Sequence, residues 1–129
     1  MNTANIITIE ERRMMRDYLL LTHMQEMVQK SVADLKYSGN LLTKAYTMSG
    51  NVIEDKICQD AKTLRIALKD RGIKVSQEEH DPNGFIIRYH YTCRGYTDKF
   101  AMTRDLMKSE ISIRFSKYIS DFGSMLKNQ

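Results

Sequence analysis

Three histidines and two cysteines are the side chains best suited to chemistry in this 129-residue chain, and their spacing decides what they can do. Cys93 follows His90 by three positions in FIIRYHYTCRG (Phe85 to Gly95), which sets a nucleophile near a base. That stretch alternates apolar and polar residues and so predicts a strand, on which positions i and i+3 point to opposite faces. The pair cannot meet within it. Cys58 has Glu54 and Lys62 one helical turn away and no histidine in reach. Both thiols therefore read as reduced structural groups, without CxxC or metal-finger spacing. His80 and His90 would share one face of a hairpin yet stand ~13 Å apart along it, while metal–nitrogen bonds are ~2 Å. His23 sits alone beside Glu26. None of the six glycines forms a phosphate-cradling GxGxxG or GxxxxGK(S/T) loop. The expectation is a protein with no catalytic residue, metal ligand or cofactor.

The polar positions of the same strand include Arg88, His90 and Arg94. With Lys62, Arg65 and Lys69, spaced i, i+3 and i+7 on a predicted helix, and with Lys74, they define a candidate basic contact surface: Lys62, Arg65, Lys69, Lys74, Arg88 and Arg94. Arg104 and Lys108 form a separate cationic pair at i, i+4. The net charge is +4; residues 1–64 hold eight basic and eight acidic side chains, residues 65–129 twelve and eight. Such an excess permits an acidic partner without demanding one. Stripes of this kind are more often solvated helix faces than binding faces.

The elements that position these groups follow from periodicity and turn chemistry. Thr8-Ile9-Glu10-Glu11 has the form of a capping box. Behind it Met14, Tyr18, Leu21, Val28, Val32 and Leu35 recur at spacings of three and four, predicting a helix from Ile9 to about Lys36. Ser-Gly-Asn occurs twice, at 38–40 and 49–51, with Gly39 suited to a helix end and Asn40 or Asn51 to a cap. The bracketed residues 41–48 read equally as a short helix or a loop. A further helix is predicted from Val52 to Arg71, with Ile53, Ile57, Ala61, Leu64 and Leu68 inward and Gly72 as its stop. The last begins near Thr97-Asp98, with Met107, Ile111, Phe115, Tyr118, Phe122 and Met125 as its stripe.

Asp81-Pro-Asn-Gly84 predicts a type I turn closing a hairpin. The register drawn from it puts Ile73 opposite Cys93, Val75 opposite Tyr91 and Glu78 opposite Arg88, with Tyr89 and Tyr91 facing the helices. The fold class expected is α+β in one domain over 1–129: three main helices packed on a two-stranded antiparallel β-hairpin, in the order α(α)ββα. Composition is that of a globular chain, no secretory leader is read at the N-terminus, and no apolar run approaches the ~20 residues of a membrane span. A cytoplasmic location and no membrane partner are expected.

By elimination the expected function is a small non-catalytic protein-interaction or regulatory module. Methionine-rich arcs on the first and last helices form a candidate apolar interface of Met14, Met15, Met24, Met27, Phe115, Phe122 and Met125, suited to a protein partner or to a homodimer. The alternative is a DNA-binding regulator, because helix, short element, Ser-Gly-Asn turn, helix and hairpin resemble a winged helix-turn-helix in outline. Nucleic acid is the less favoured partner: Glu54, Asp55 and Asp60 occupy the end of the would-be recognition helix that approaches the groove.

Overall fold

Thr8 and Glu11 close a reciprocal cap, in which Thr8 Oγ1 accepts the Glu11 N–H at 3.1 Å and Glu11 Oε1 accepts the Thr8 N–H at 3.0 Å. Helix α1 (Ile9–Lys36) runs from this cap over the span that its periodicity predicts. The structure, a computed structural model, describes residues 6–39 and 41–128, with Gln77 described by its backbone. Asn40, one of the two cap candidates, lies outside the described residues.

Helix α2 (Thr43–Asp70) corrects the expected break at the second Ser-Gly-Asn. It continues through Ser49, Gly50 and Asn51, so residues 43–48 are helical. The physical reason is close approach rather than chain reversal. The two helices are antiparallel neighbours, and a Cβ built on Gly50 would lie 2.6 Å from Val32 Cγ2. Glycine lets α2 touch α1 here, and Gln29 Nε2 donates to Glu54 Oε1 at 2.8 Å one turn away. Gly72, at φ +75°, ends α2 as expected.

The sheet is antiparallel and has three strands in the order β1 (Ile73–His80), β2 (Ile86–Cys93), β3 (Tyr96–Thr103). The α+β class holds, with one strand more than the sequence reading. Residues 96–103 form β3 rather than the start of the last helix, because Arg94 (φ +48°) and Gly95 (φ +94°) make a two-residue turn with positive φ at both positions. Turns of that kind match the twist of hairpin strands. Phe100 and Met102 then point inward, and Phe100 packs against Tyr89 and Tyr91 at ring-centroid distances of 5.5 and 6.1 Å. Helix α3 (Arg104–Lys127) starts only after Thr103, whose hydroxyl accepts the Leu106 N–H at 3.1 Å.

Between β1 and β2 the predicted register holds at the open end, where Ile73 pairs Cys93 and Val75 pairs Tyr91. A bulge at Ser76 then shifts it by one. Glu79, not Glu78, faces Arg88, and Glu78 faces Tyr89. The Asp81–Gly84 turn forms, with Gly84 N–H donating to Asp81 O at 2.8 Å and Gly84 at φ +74°. Ile87, Tyr89, Tyr91 and Cys93 alternate inward along β2. The helices cover that face, and the other carries Arg88 and His90. The core centres on Leu20, Met24, Ile57 and Tyr89, with a second cluster of Met15, Leu68, Ile73, Tyr91 and Cys93.

Gly50→Ala tests the close approach directly. Alanine favours a helix by about 1 kcal/mol over glycine, yet the variant is expected to melt lower than wild type because its methyl meets Val32. Val32→Ala should make Gly50→Ala neutral or stabilising in the double-mutant cycle. A stabilising Gly50→Ala in the wild-type background would refute the contact.

Candidate functional site

Arg94 does not join a solvent-facing row. Its positive-φ backbone turns the side chain inward, where Nη1 donates to Glu11 Oε2 at 3.0 Å and Nη2 to Glu11 Oε1 at 2.9 Å. The same guanidinium donates to Arg71 O at 2.8 Å and Ile6 O at 3.0 Å. Glu11 is 3% exposed. The Arg94 hydrogen bonds hold its carboxyl at about 2, against an ordinary 4.5, while burial works the other way. Of the remaining basic residues, Arg88 lies on the outer sheet face, where Glu79 both faces it and reaches His90 Nε2 at 3.0 Å. Lys62, Arg65, Lys69 and Lys74 are exposed, and Arg65, Lys69 and Lys74 border one depression beside Leu68 and Ile73.

The apolar set also divides. Met15 and Met24 are 0% exposed and belong to the core, and Met14 packs against its second cluster. Met27 and Phe115 line a groove of about 720 Å³. Phe122 and Met125 line a separate hollow of about 350 Å³ between α2 and α3, together with Val52, Ile53 and Tyr118.

The larger groove runs between α1, from His23 to Leu35, and the first half of α3, from Arg104 to Phe115. Gly50 and Ile53 of α2, with Ile87 of β2 and His80 of β1, complete its lining. The Ser76 bulge builds its polar edge. By moving β1 one step, the bulge brings Glu78 to the helix side, where its Oε1 lies 3.5 Å from His23 Nε2 and 3.2 Å from His80 Nε2. His23 Nε2 also meets the Tyr89 hydroxyl at 2.9 Å, and His80 Nδ1 lies 3.4 Å from Arg104 Nη2.

Glu78, His23 and Tyr89 together have the residue types of a catalytic relay, but not its geometry. A relay uses both imidazole nitrogens, one on the carboxylate and one on the hydroxyl; here Nε2 faces both. Burial, then the negative charge of Glu78, pushes the Tyr89 phenol well above its ordinary range. That phenol is 1% exposed, so it stays protonated and shielded. Cys93 is likewise buried, which pushes its thiol up, and it stands on the sheet face opposite His90. Among the described residues no cluster of His, Cys, Asp or Glu could hold a metal ion, and no helix is long and apolar enough to cross a membrane.

Sequence reasoning located Arg104 and Lys108 as a pair but not the groove they border. That groove exists only once α3 is placed against α1, and no local pattern encodes the placement. The sequence reading also left Glu78 on the wrong face, since Ser76 carries no bulge signal.

The chain belongs to the YhjD protein family, whose match covers residues 6–122 and so takes in Glu11, Arg94, the whole sheet and most of α3. No curated protein and no solved structure matches it.

Because folding lowers the Glu11 pKa, its stabilisation is complete above about pH 4.5 and is lost as the pH falls towards about 2. Glu11→Gln should lower the melting temperature at pH 7 by roughly 5 °C or more, as expected for breaking a buried pair. The gap between wild type and variant should close as the pH approaches 2. A gap that is independent of pH over this interval would contradict the assignment.

Proposed function

We propose that this YhjD family member is a non-catalytic interaction module that pairs with a second copy of itself through the hollow between α2 and α3. The carrying observation is the apolar end of the helical layer. Val52, Phe122 and Met125 line the hollow, and Val52 and Met125 are close to half exposed. Met48 lies one turn before Val52 on α2, while Ile119 and Leu126 lie one turn either side of Phe122 on α3. All three are more than half exposed. Asp55, Lys56, Gln59 and Asp121 border the same hollow and supply a polar rim. An apolar centre with a polar rim is the usual anatomy of a protein contact.

Helix α3 supports this reading by the way it is fixed. Arg114 Nη2 donates to Asp17 Oδ1 at 2.7 Å, and the Tyr118 hydroxyl donates to Asp60 Oδ2. Both ties lie before Ile119, so the last turns of α3 project with their apolar side chains beyond its anchors. Nucleic acid is the less favoured partner. Helix α2 runs straight through the turn that a helix-turn-helix needs, Arg94 is committed to Glu11, and Glu54, Asp55 and Asp60 precede Lys62, Arg65 and Lys69 along α2. A cytoplasmic, regulatory role fits a small module of this kind and forms part of the proposal.

Sedimentation equilibrium at micromolar concentration tests the reading. A dimer is expected, converted to monomer by Val52→Asp combined with Met125→Asp, both at exposed positions that leave the core unchanged. A wild-type monomer of 15.1 kDa throughout the concentration range would refute self-pairing.

A further inference from the structure

We propose that the 720 Å³ groove between α1 and α3 binds a single-chain amphipathic carboxylate, a fatty acid, with its alkyl chain along the groove and its head group on Arg104 and Lys108. The groove shares Ile53 with the α2–α3 hollow, but the inference does not rest on pairing through that hollow. Its volume falls within the ~300–1,000 Å³ of small-molecule sites. Val28, Val32, Ile53, Ile87, Ile111 and Phe115 make its lining predominantly apolar, and no carboxylate is among the described residues that line it.

The charge is arranged for an anion. Arg104 and Lys108 stand one turn apart at the start of α3, and neither has a carboxylate partner among the described residues. The helix dipole disfavours positive charge in a first turn, so Arg104, the first residue of α3, does not serve to cap it. Among the described residues the side-chain contact of Arg104 is with His80 Nδ1 at 3.4 Å, a loose one that leaves most of the guanidinium's donors open to them. His80 is itself turned to Glu78 through Nε2, which steadies the ring beside Arg104. Glu78, the acidic group of this edge, is engaged by His23 and His80 rather than directed at the two cations.

The groove is long as well as apolar. From Arg104 to Phe115 the groove follows α3 for about 16 Å. That length and the apolar lining suit a single extended alkyl chain that ends at the two cations. The gap is held rather than collapsed: Arg104 N–H donates to Phe85 O at 2.8 Å at the start of α3, and Arg114, beside Phe115 at the far end of the groove, reaches Asp17. Gly50 and Val32, in contact, form a floor that cannot close further.

Isothermal titration calorimetry of the intact chain with sodium dodecanoate below its micellar concentration tests the proposal, with dodecyltrimethylammonium as the cationic counterpart. Saturable one-to-one binding of dodecanoate is expected, with none of the cation. Arg104→Gln with Lys108→Gln should weaken dodecanoate at least about tenfold while leaving the melting temperature unchanged. Ser112→Trp, which fills the groove from an exposed position, should abolish binding. Absence of saturable binding to the wild type, equal binding of both amphiphiles, or full affinity in the folded Gln variants would each overturn the assignment. The wild-type comparison of anion with cation decides the matter even if a variant does not fold.

Discussion

A nearly buried carboxylate and a guanidinium 83 residues away hold the ends of this fold together. Glu11 caps α1 with one hydrogen bond to the Thr8 N–H and receives both terminal nitrogens of Arg94. Arg94 also takes the carbonyl of Arg71 at the close of α2 and that of Ile6 ahead of α1. Four pieces of chain thus meet on one ion pair: the N-terminal segment, the start of α1, the end of α2 and the β2–β3 turn. A planar guanidinium can serve two carboxylate oxygens and two carbonyls at once, and an ammonium cannot match that fork. The backbone of Arg94 adopts a positive φ, uncommon outside glycine, and its Arg94 N–H donates to Gly72 O at 2.9 Å. The strained turn and the pair support each other.

That long-range dependence marks where the sequence stopped being legible. Helix α1 could be read because its signals are local, a capping box followed by apolar residues at threes and fours. The β1–β2 turn could be read because Asp-Pro-Asn-Gly prescribes its own dihedrals. The β2–β3 turn could not: Arg-Gly lacks the Asn or Asp usual where both φ values are positive, and what holds Arg94 there is a residue on another element. Gly50 misled for a related reason. In sequence it resembles a helix stop, whereas in the fold it is a contact point against Val32. Glycine serves turns and close approaches alike, and only tertiary structure separates the two.

The functional surfaces follow the same division. Arg104 and Lys108 were visible as a pair, yet the groove beneath them depends on where α3 is tied. The methionines, read together as one adaptable surface, distribute among core, groove and hollow, because a wide apolar arc on a long helix meets several environments along its length. The Ser76 bulge has the largest consequence for chemistry. One extra residue takes Glu78 from the outer sheet face to the helix side, where it collects His23 and His80 at the groove edge. The fold therefore places its polar cluster beside the apolar groove between α1 and α3 and leaves the charged outer face of the sheet in solvent.

Amide hydrogen exchange, compared between the wild type and Arg94→Lys, tests the role of the central pair most directly. Lysine keeps the charge but loses the fork. Protection should fall together at the first turn of α1, at Arg71 and Gly72, and at the β2–β3 turn, with the middle of α1 and α2 unaffected. Loss of protection confined to Arg94 and Gly95 would show that the pair decorates a turn and does not join the elements.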